Sequence, residues 1–182
     1  MPGLEDESFS RSVVYLCEHS ERGALGLIIN KPSKLSLEDL LHKVDLGLKR
    51  EDLRGDLVFR GGPVQTDRGF VLHEPMVIEG AAEEESAYAS TMTIPGGLEM
   101  TTSKDVLEAL SDGAGPRRLL VTLGYSSWDE GQLESEIAEN AWLTVEADAT
   151  VIFDTPVDER YDRALGLLGL QRWMLSPEAG RA

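Results

Sequence analysis

The segment RRLLVTLGYSSWDEGQLESEIAENAW, residues 117–142, has the clearest strand and helix patterns of the chain, and we predict the rest of the fold around it. Residues 119–123 (LLVTL) form its most continuous apolar run and predict a buried central strand. A turn is predicted next, at residues 124–128. An amphipathic helix should follow, because apolar residues recur at helical spacing with glutamates between them. The most distinctive turn of the chain is therefore expected between a strand and a helix.

The remaining segments alternate without a fixed order of strands and helices. Short apolar runs at 12–17 and 24–30 flank a polar turn and predict a hairpin. Further strands are predicted at residues 57–60, 69–73, 90–94, 98–101, 143–145 and 150–153. Further helices are predicted at 37–43 behind the Ser36–Asp39 capping pair, behind a second capping pair of Thr102 and Asp105, and from Pro156 through Leu168. This pattern predicts an α+β fold with a mixed, strongly curved sheet.

The chain shows no internal repeat and no linker that would separate two domains. We therefore expect one domain over residues 1–182, with residues 170–182 as a loosely ordered tail. The acidic run within 79–85 is expected to be a solvated loop.

The net charge restricts the classes of partner. Lys and Arg total 17 against 33 Asp and Glu, which gives a net charge of −16. Nucleic-acid binding draws most of its affinity from basic residues on phosphates, so direct binding of DNA or RNA is disfavoured. An anionic membrane surface is disfavoured for the same reason.

Three further features bear on location. The first eleven residues, MPGLEDESFSR, carry acids where a secretory signal has a basic start and an apolar run. No segment approaches the roughly 20 apolar residues that cross a bilayer. The single cysteine, Cys17, cannot form an internal disulfide and has apolar neighbours that predict a buried thiol. These features predict a cytoplasmic protein.

The predicted turn at 124–128 is the first candidate site. Its G-x-S-x-W sequence between a strand and a helix resembles a nucleophile elbow around Ser126, although the second glycine of that motif is missing. The alternative is that Ser126 is a turn hydroxyl. Trp128 would either form a stacking wall for a ligand or pack in the core, whereas Trp142 is expected to be core.

The segment Arg60-Gly61-Gly62 is the second candidate site. Two glycines allow backbone N–H groups to face an anion, and Arg60 could clamp it. The alternative is a tight turn between strands, which needs glycine for its own geometry.

The histidines are His19, His42 and His73, with His19 expected in the first hairpin turn. They lack the spacing of metal ligands, and the chain has no P-loop, dinucleotide fingerprint or CxxC motif. We therefore expect no catalytic set, no metal site and no cofactor. The residues favoured for binding a ligand are Arg60, Gly61, Gly62, His19, His73, Gly124, Tyr125, Trp128 and Gln132.

Three long motifs together resemble one known family. They are MPGLEDESFSRSVVYLCEHSERGALGLIINKP at 1–32, GGPVQTDRGFVLH at 61–73 and GYSSWDEGQLESEIAENAWL at 124–143. In this order they are similar to the AlgH/YqgE family of bacterial proteins, and the resemblance runs from Met1 to about Gly169. One departure is Ser127, where the family usually has glycine before the tryptophan.

The resemblance implies one α+β domain with a bifurcated mixed sheet folded into a pseudo-barrel. The family's biochemical activity is not established, and one member's name links it to the regulation of transcription. We expect a non-enzymatic protein that binds a protein or small-molecule partner in a regulatory role. The alternatives are a hydrolase-like enzyme at residues 124–128, using Ser126 with Glu134 or Glu136 and a histidine, and a DNA-binding regulator.

Overall fold

A computed structural model describes residues 9–76 and 86–175 of the chain. The predicted loop at 79–85 and residues 176–182 of the predicted tail lie outside these ranges. The strands are β1 (Val14–Ser20), β2 (Gly23–Ile28), β3 (Pro32–Ser36), β4 (Leu57–Arg60), β5 (Val64–His73), β6 (Thr91–Ile94), β7 (Leu98–Thr101) and β8 (Leu119–Trp128). The helices are α1 (Leu37–Lys43), α2 (Asp105–Ser111), α3 (Gln132–Ala138) and α4 (Arg160–Leu167). Short helical turns lie at Glu51–Leu53, Thr150–Asp154 and Arg172–Met174.

The described strands form one mixed sheet around β8. Its main path runs β1-β2-β8-β5-β7-β6, and β3 pairs with β4 beside it. Only the β4–β8 pairing is parallel among the described strands. The central strand predicted from the LLVTL run is confirmed, since β8 has three partners.

A bend at Gly124 divides β8 between two parts of the sheet. Residues 119–123 pair with β5, whereas residues 126–128 pair with β2. Gly124 has φ +74°, a left-handed conformation that glycine adopts without strain. The predicted turn at 124–128 is therefore wrong: the chain bends inside a strand there. The sheet therefore divides into its two parts at this bend.

Several predicted elements are confirmed. Helix α1 occupies residues 37–43, and the Asp39 N–H donates to Ser36 Oγ at 3.0 Å, as the capping pair predicted. Strands β4 and β7 occupy 57–60 and 98–101. The first hairpin forms between β1 and β2, but β1 continues through residue 20, so His19 lies in a strand and not in the turn.

Other predictions are corrected at the C-terminal end. Residues 143–145 form no strand, and residues 150–154 form a helical turn that begins where Asp148 Oδ1 accepts the N–H of Thr150 at 2.8 Å. Helix α4 begins at Arg160, after a turn that holds Pro156.

The predicted cap of helix α2 is also corrected. Helix α2 begins at Asp105 without a side-chain hydrogen bond from its N-cap residue, Lys104, so Thr102 does not cap it.

The two faces of the sheet each carry a core. One contains Leu27, Phe70 and Leu72, together with the buried Cys17 that the sequence predicted. The other lies under α1 and α2, and its most buried members are Leu41, Val58, Val106 and Leu110. The fold is α+β, a curved sheet that nearly closes into a barrel with helices against it, as predicted. Within the described ranges, no helix has the length and apolar character needed to span a membrane.

Candidate functional site

The two glycine segments predicted as sites meet each other inside the sheet. A Cβ on Gly61 would lie 2.2 Å from the carbonyl oxygen of Gly124, and one on Gly62 would lie 2.2 Å from that of Tyr125. The Gly61 N–H donates to Leu123 O at 2.9 Å, and its carbonyl accepts the Ile28 N–H at 2.8 Å. These backbone groups serve the sheet, and the glycines allow its strands to approach closely.

Ser126 is fully buried in this contact. Its Oγ donates to Gly61 O at 3.3 Å, and no part of the residue reaches solvent. A nucleophile needs access to the substrate, and an elbow needs a strained turn after the strand. The interpretation of Ser126 as a nucleophile is therefore wrong.

Other predicted residues point elsewhere in the molecule. Arg60 is exposed at the end of β4. Tyr125 packs edge-on against Phe70 with ring centroids 5.5 Å apart. Tyr125 and Phe70 line a small cleft of about 250 Å³ that opens beside β6 and β7.

His19 and His73, the two histidines that lie in strands, do not belong to one site. On the surface, His19 Nε2 pairs with Glu134 Oε1 of α3. His73 is fully buried at the end of β5, with Nδ1 2.8 Å from Glu74 O and Nε2 2.8 Å from Thr101 Oγ1. A carbonyl only accepts, so the ring donates from Nδ1 to Glu74 O, and Nε2 shares a hydrogen bond with the Thr101 hydroxyl. Among the described residues, no three His, Cys, Asp or Glu side chains gather as metal ligands would.

Trp128 and Gln132 belong to a compact cluster centred on Glu136. Both indole N–H groups, of Trp128 and Trp142, donate to Glu136 Oε2 at 2.9 and 2.7 Å. Gln132 Nε2 donates to Oε1 of the same carboxylate at 2.9 Å. The two indole rings meet edge to face with centroids 5.7 Å apart, and Phe9 packs against both. One carboxylate therefore fixes the orientation of two tryptophans.

This arrangement alters the acidity of Glu136. Burial acts to raise the pKa of the carboxyl, but the donated hydrogen bonds from Trp142, Gln132 and Trp128 outweigh it and lower the pKa. Each bond stabilises the ionised form, since a carboxylate accepts more strongly than a neutral acid. Glu136 is thus held as an anion beneath the aromatic rings.

The tryptophans border an apolar groove of about 630 Å³. Its walls come from β1, from α3 with the segment 142–148, and from α4. A volume of this size is typical of binding sites in proteins. Of the residues that the sequence favoured for binding, only Trp128 lines the groove.

Large apolar side chains around the groove remain in solvent. Leu143 and Val145 are each 42% exposed, and Leu167 is 46% exposed. The others are Ile137 and Leu168. Single exposed apolar residues are ordinary, but a contiguous set around a concavity is typical of an interaction site.

One wall of the groove is the segment 143–147, between α3 and the Thr150–Asp154 turn. The backbone of this segment does not pair with a described strand. These five residues are exposed and lie in neither a helix nor a strand. Their backbone N–H groups donate to no backbone carbonyl of the described residues. The sequence predicted a strand at 143–145, and the structure provides strand-like residues without a partner strand.

Acidic side chains frame this wall. Glu146 and Asp148 line the groove, and Glu139 is exposed at the end of α3. Together with the net charge of −16, they give the rim a negative potential.

Sequence reasoning did not select most of these groove residues. Trp142 was expected in the core, and Leu143 and Val145 were assigned to a strand. Trp142 does pack against the cluster of Ala24, Trp128 and Leu133, and it also lines the groove. The exposure of Leu143 and Val145 depends on which strands pair, and that depends on long-range topology. The one indication in the sequence was that residues 143–145 have the composition of a strand but no evident partner strand.

The comparisons agree on one family. The AlgH-like family model matches residues 1–173. A UPF0301 protein of Delftia acidovorans is 87% identical over 182 residues, which cover all of this chain and 92% of that protein. A UPF0301 protein of Acidovorax sp. (strain JS42) is 79% identical over the same coverage.

Solved structures show the same fold. The solution structure of the AlgH protein from Pseudomonas aeruginosa matches with a TM-score of 0.75 and 44% identity, covering 100% of this chain and 92% of that one. A crystal structure of a Corynebacterium diphtheriae protein matches with a TM-score of 0.67 over 90% of this chain and 81% of its own, at 20% identity, which bears on the fold alone. The resemblance expected from the three motifs is confirmed, and this chain belongs to the AlgH-like family.

Proposed function

We propose that this protein acts by binding, without chemistry of its own, and that its groove receives an apolar segment of a partner protein. The observation that carries the proposal is the ring of exposed apolar side chains around a groove of about 630 Å³. Burying such side chains yields about 25 cal/mol per Å² of apolar surface, which is the main driving force for association.

The form of the groove favours a polypeptide over a compact small molecule. Residues 143–147 present unpaired backbone groups beside the exposed side chains of Leu143 and Val145. An extended peptide can satisfy such an edge by adding a strand, with its alternate side chains entering the groove. A small apolar ligand would leave those backbone groups to water.

Charge complementarity defines the partner further. Glu146 and Asp148 stand at the groove, and the whole chain carries −16. A segment with apolar residues flanked by Lys or Arg would be attracted to this rim and would associate faster at low salt. An acidic segment would be repelled. Because such binding changes only the availability of the partner, we propose a regulatory role.

The absence of an assembled catalytic set among the described residues supports binding over hydrolysis. Ser126 is fully buried, and the imidazole of His73 is enclosed by Glu74 and Thr101. His19 lies on the surface and pairs with Glu134. An acyl-transfer site needs a nucleophile, a base and oxyanion donors around one accessible point.

A displayed library of short random peptides tests the proposal. It is selected on the wild-type protein, and the enriched peptides are then titrated against a Leu143→Asp, Leu167→Asp double variant. Both positions are exposed, so the variant should keep its fold. We expect enriched peptides with alternating apolar residues and basic flanks, and at least a tenfold loss of affinity in the double variant.

Met92→Asp is the matched control, because Met92 is 38% exposed on β6 and lies outside the groove. Its affinity for the peptides should equal that of the wild type. Enrichment of acidic peptides, or equal binding to all three proteins, would contradict the proposal.

A further inference from the structure

Three basic residues come together at the ends of β1, β3 and β4. Arg11 lies just before β1, Lys31 precedes β3, and Arg60 ends β4. The Arg60 N–H donates to Lys31 O at 2.8 Å, and Lys31 Nζ donates to Ser10 O at 2.6 Å. Asn30 Nδ2 donates to Arg11 O at 2.8 Å. These contacts hold the three residues beside one another.

No carboxylate of the described residues lies within 4.0 Å of any of the three charges. In the same structure Arg50, Arg54 and Arg118 each pair with an acid. Acids outnumber bases by 33 to 17 in this chain, so three adjacent bases concentrate positive charge on an otherwise acidic protein. Like charges held together repel, and a bound anion would relieve the repulsion.

The state of Lys31 agrees with this geometry. Its side chain is half-buried, whereas Arg11 and Arg60 are exposed. Burial, followed by the positive charges of Arg60 and Arg11, lowers the pKa of the Lys31 ammonium. This is the direction expected for a partly buried ammonium beside other cations.

We propose that Arg11, Lys31 and Arg60 bind a multiply charged oxyanion of the phosphate type. Guanidinium groups match tetrahedral oxyanions with paired N–H donors, and an ammonium adds a point charge. The sequence had suggested that Arg60 works with the backbone of Gly61 and Gly62. In the structure, the Gly61 N–H donates to a carbonyl of the sheet and does not face a ligand. Arg60 therefore acts together with the side chains of Arg11 and Lys31 in this proposal.

The size of the cluster limits the ligand. Duplex DNA requires a row of phosphate contacts, and three cations on a chain of net charge −16 do not provide one. A single phosphate group, either free or carried by a small organic molecule, suits the charge. This inference does not depend on the proposed role of the groove.

Calorimetric titration at constant ionic strength tests the site, with inorganic phosphate as one probe and glycerol 3-phosphate as the other. The proteins are the wild type, Lys31→Gln and Arg60→Gln, with Arg54→Gln as control because Arg54 is exposed and paired with Glu51. We expect saturable one-to-one binding of at least one probe to the wild type. Preference for the ester over free phosphate would identify an organic phosphate as the source.

Affinity should fall at least tenfold in Lys31→Gln and Arg60→Gln, and it should be unchanged in Arg54→Gln. Lys31→Arg should retain binding, which separates loss of charge from loss of fold. Absence of saturable binding of both probes to the wild type would overturn the proposal. An equal loss in the Arg54 control would also overturn it.

Discussion

Glu136 is the residue on which the geometry of the groove depends. Its carboxylate accepts hydrogen bonds from Trp128, Trp142 and Gln132, and these bonds lower its pKa against the effect of burial. A group whose pKa is lower in the folded state stabilises the fold above its unfolded pKa. That stabilisation is lost as the pH falls through the folded pKa.

We therefore predict that Glu136→Gln lowers the free energy of unfolding at neutral pH by about 1 kcal/mol, since it replaces hydrogen bonds to a charge by bonds to an amide. Below the ordinary glutamate pKa of about 4.3, the difference from the wild type should shrink as the wild-type carboxyl becomes protonated. Urea unfolding monitored by tryptophan fluorescence across this pH range measures both effects.

Glu139→Gln is the matched control at the end of the same helix, where the side chain is exposed and has no hydrogen-bond partner among the described residues. It should leave the free energy of unfolding unchanged within error. A pH-independent loss in Glu136→Gln, or an equal loss in Glu139→Gln, would show that the carboxylate does not hold the tryptophans.

At the scale of the element, the bend of β8 at Gly124 sets the shape of the sheet. The residue has φ +74°, and a Cβ there would lie 2.6 Å from the carbonyl oxygen of Gly62. A side chain would therefore suffer both an unfavourable backbone conformation and a clash with backbone that cannot move freely.

We predict that Gly124→Ala destabilises the protein by about 3 kcal/mol or more. Gly131 is the control, because its φ is +72° but nothing lies within 4 Å of an added Cβ. Gly131→Ala should lower the free energy of unfolding only by the strain of a left-handed backbone conformation, about 1 kcal/mol. Thermal unfolding of both variants measures the difference, and equal losses would mean that close approach of the strands at Gly124 is unimportant.

Some of these elements could be predicted from local sequence, and others could not. The capped helix α1 and the apolar strand in 119–123 follow from local patterns, and both are confirmed. The bend at Gly124 was interpreted as a turn because glycine permits either outcome, and only the pairing of 126–128 with β2 decides between them. Local propensity does not contain that long-range pairing.

The site was less accessible to sequence than the fold. For Trp128 the sequence left open a ligand wall or core packing, and its main partner, Glu136, appeared only as a member of an acidic helix face or of a hydrolase set. Ser126 carried the most recognisable motif, and the close packing of Gly61 against Gly124 buries it. The groove itself arises where α4 and residues 142–148 approach β1 from distant parts of the chain.

At the scale of the whole molecule, two features of opposite character lie on one acidic protein. The groove has apolar walls with a negative rim, whereas the cluster of Arg11, Lys31 and Arg60 has no acid beside it among the described residues. The net charge of −16 should keep the protein away from polyanions while it attracts basic segments. We propose that such a segment enters the groove.

The most direct test is a two-dimensional ¹H–¹⁵N NMR titration with a library-selected peptide. The chain has three tryptophans, so three indole N–H signals report on Trp128, Trp142 and the exposed Trp173. We predict that the peptide shifts the signals of Trp128 and Trp142 together with the amides of residues 143–147. Shifts confined to other surfaces, with both groove indoles unchanged at saturation, would contradict the account.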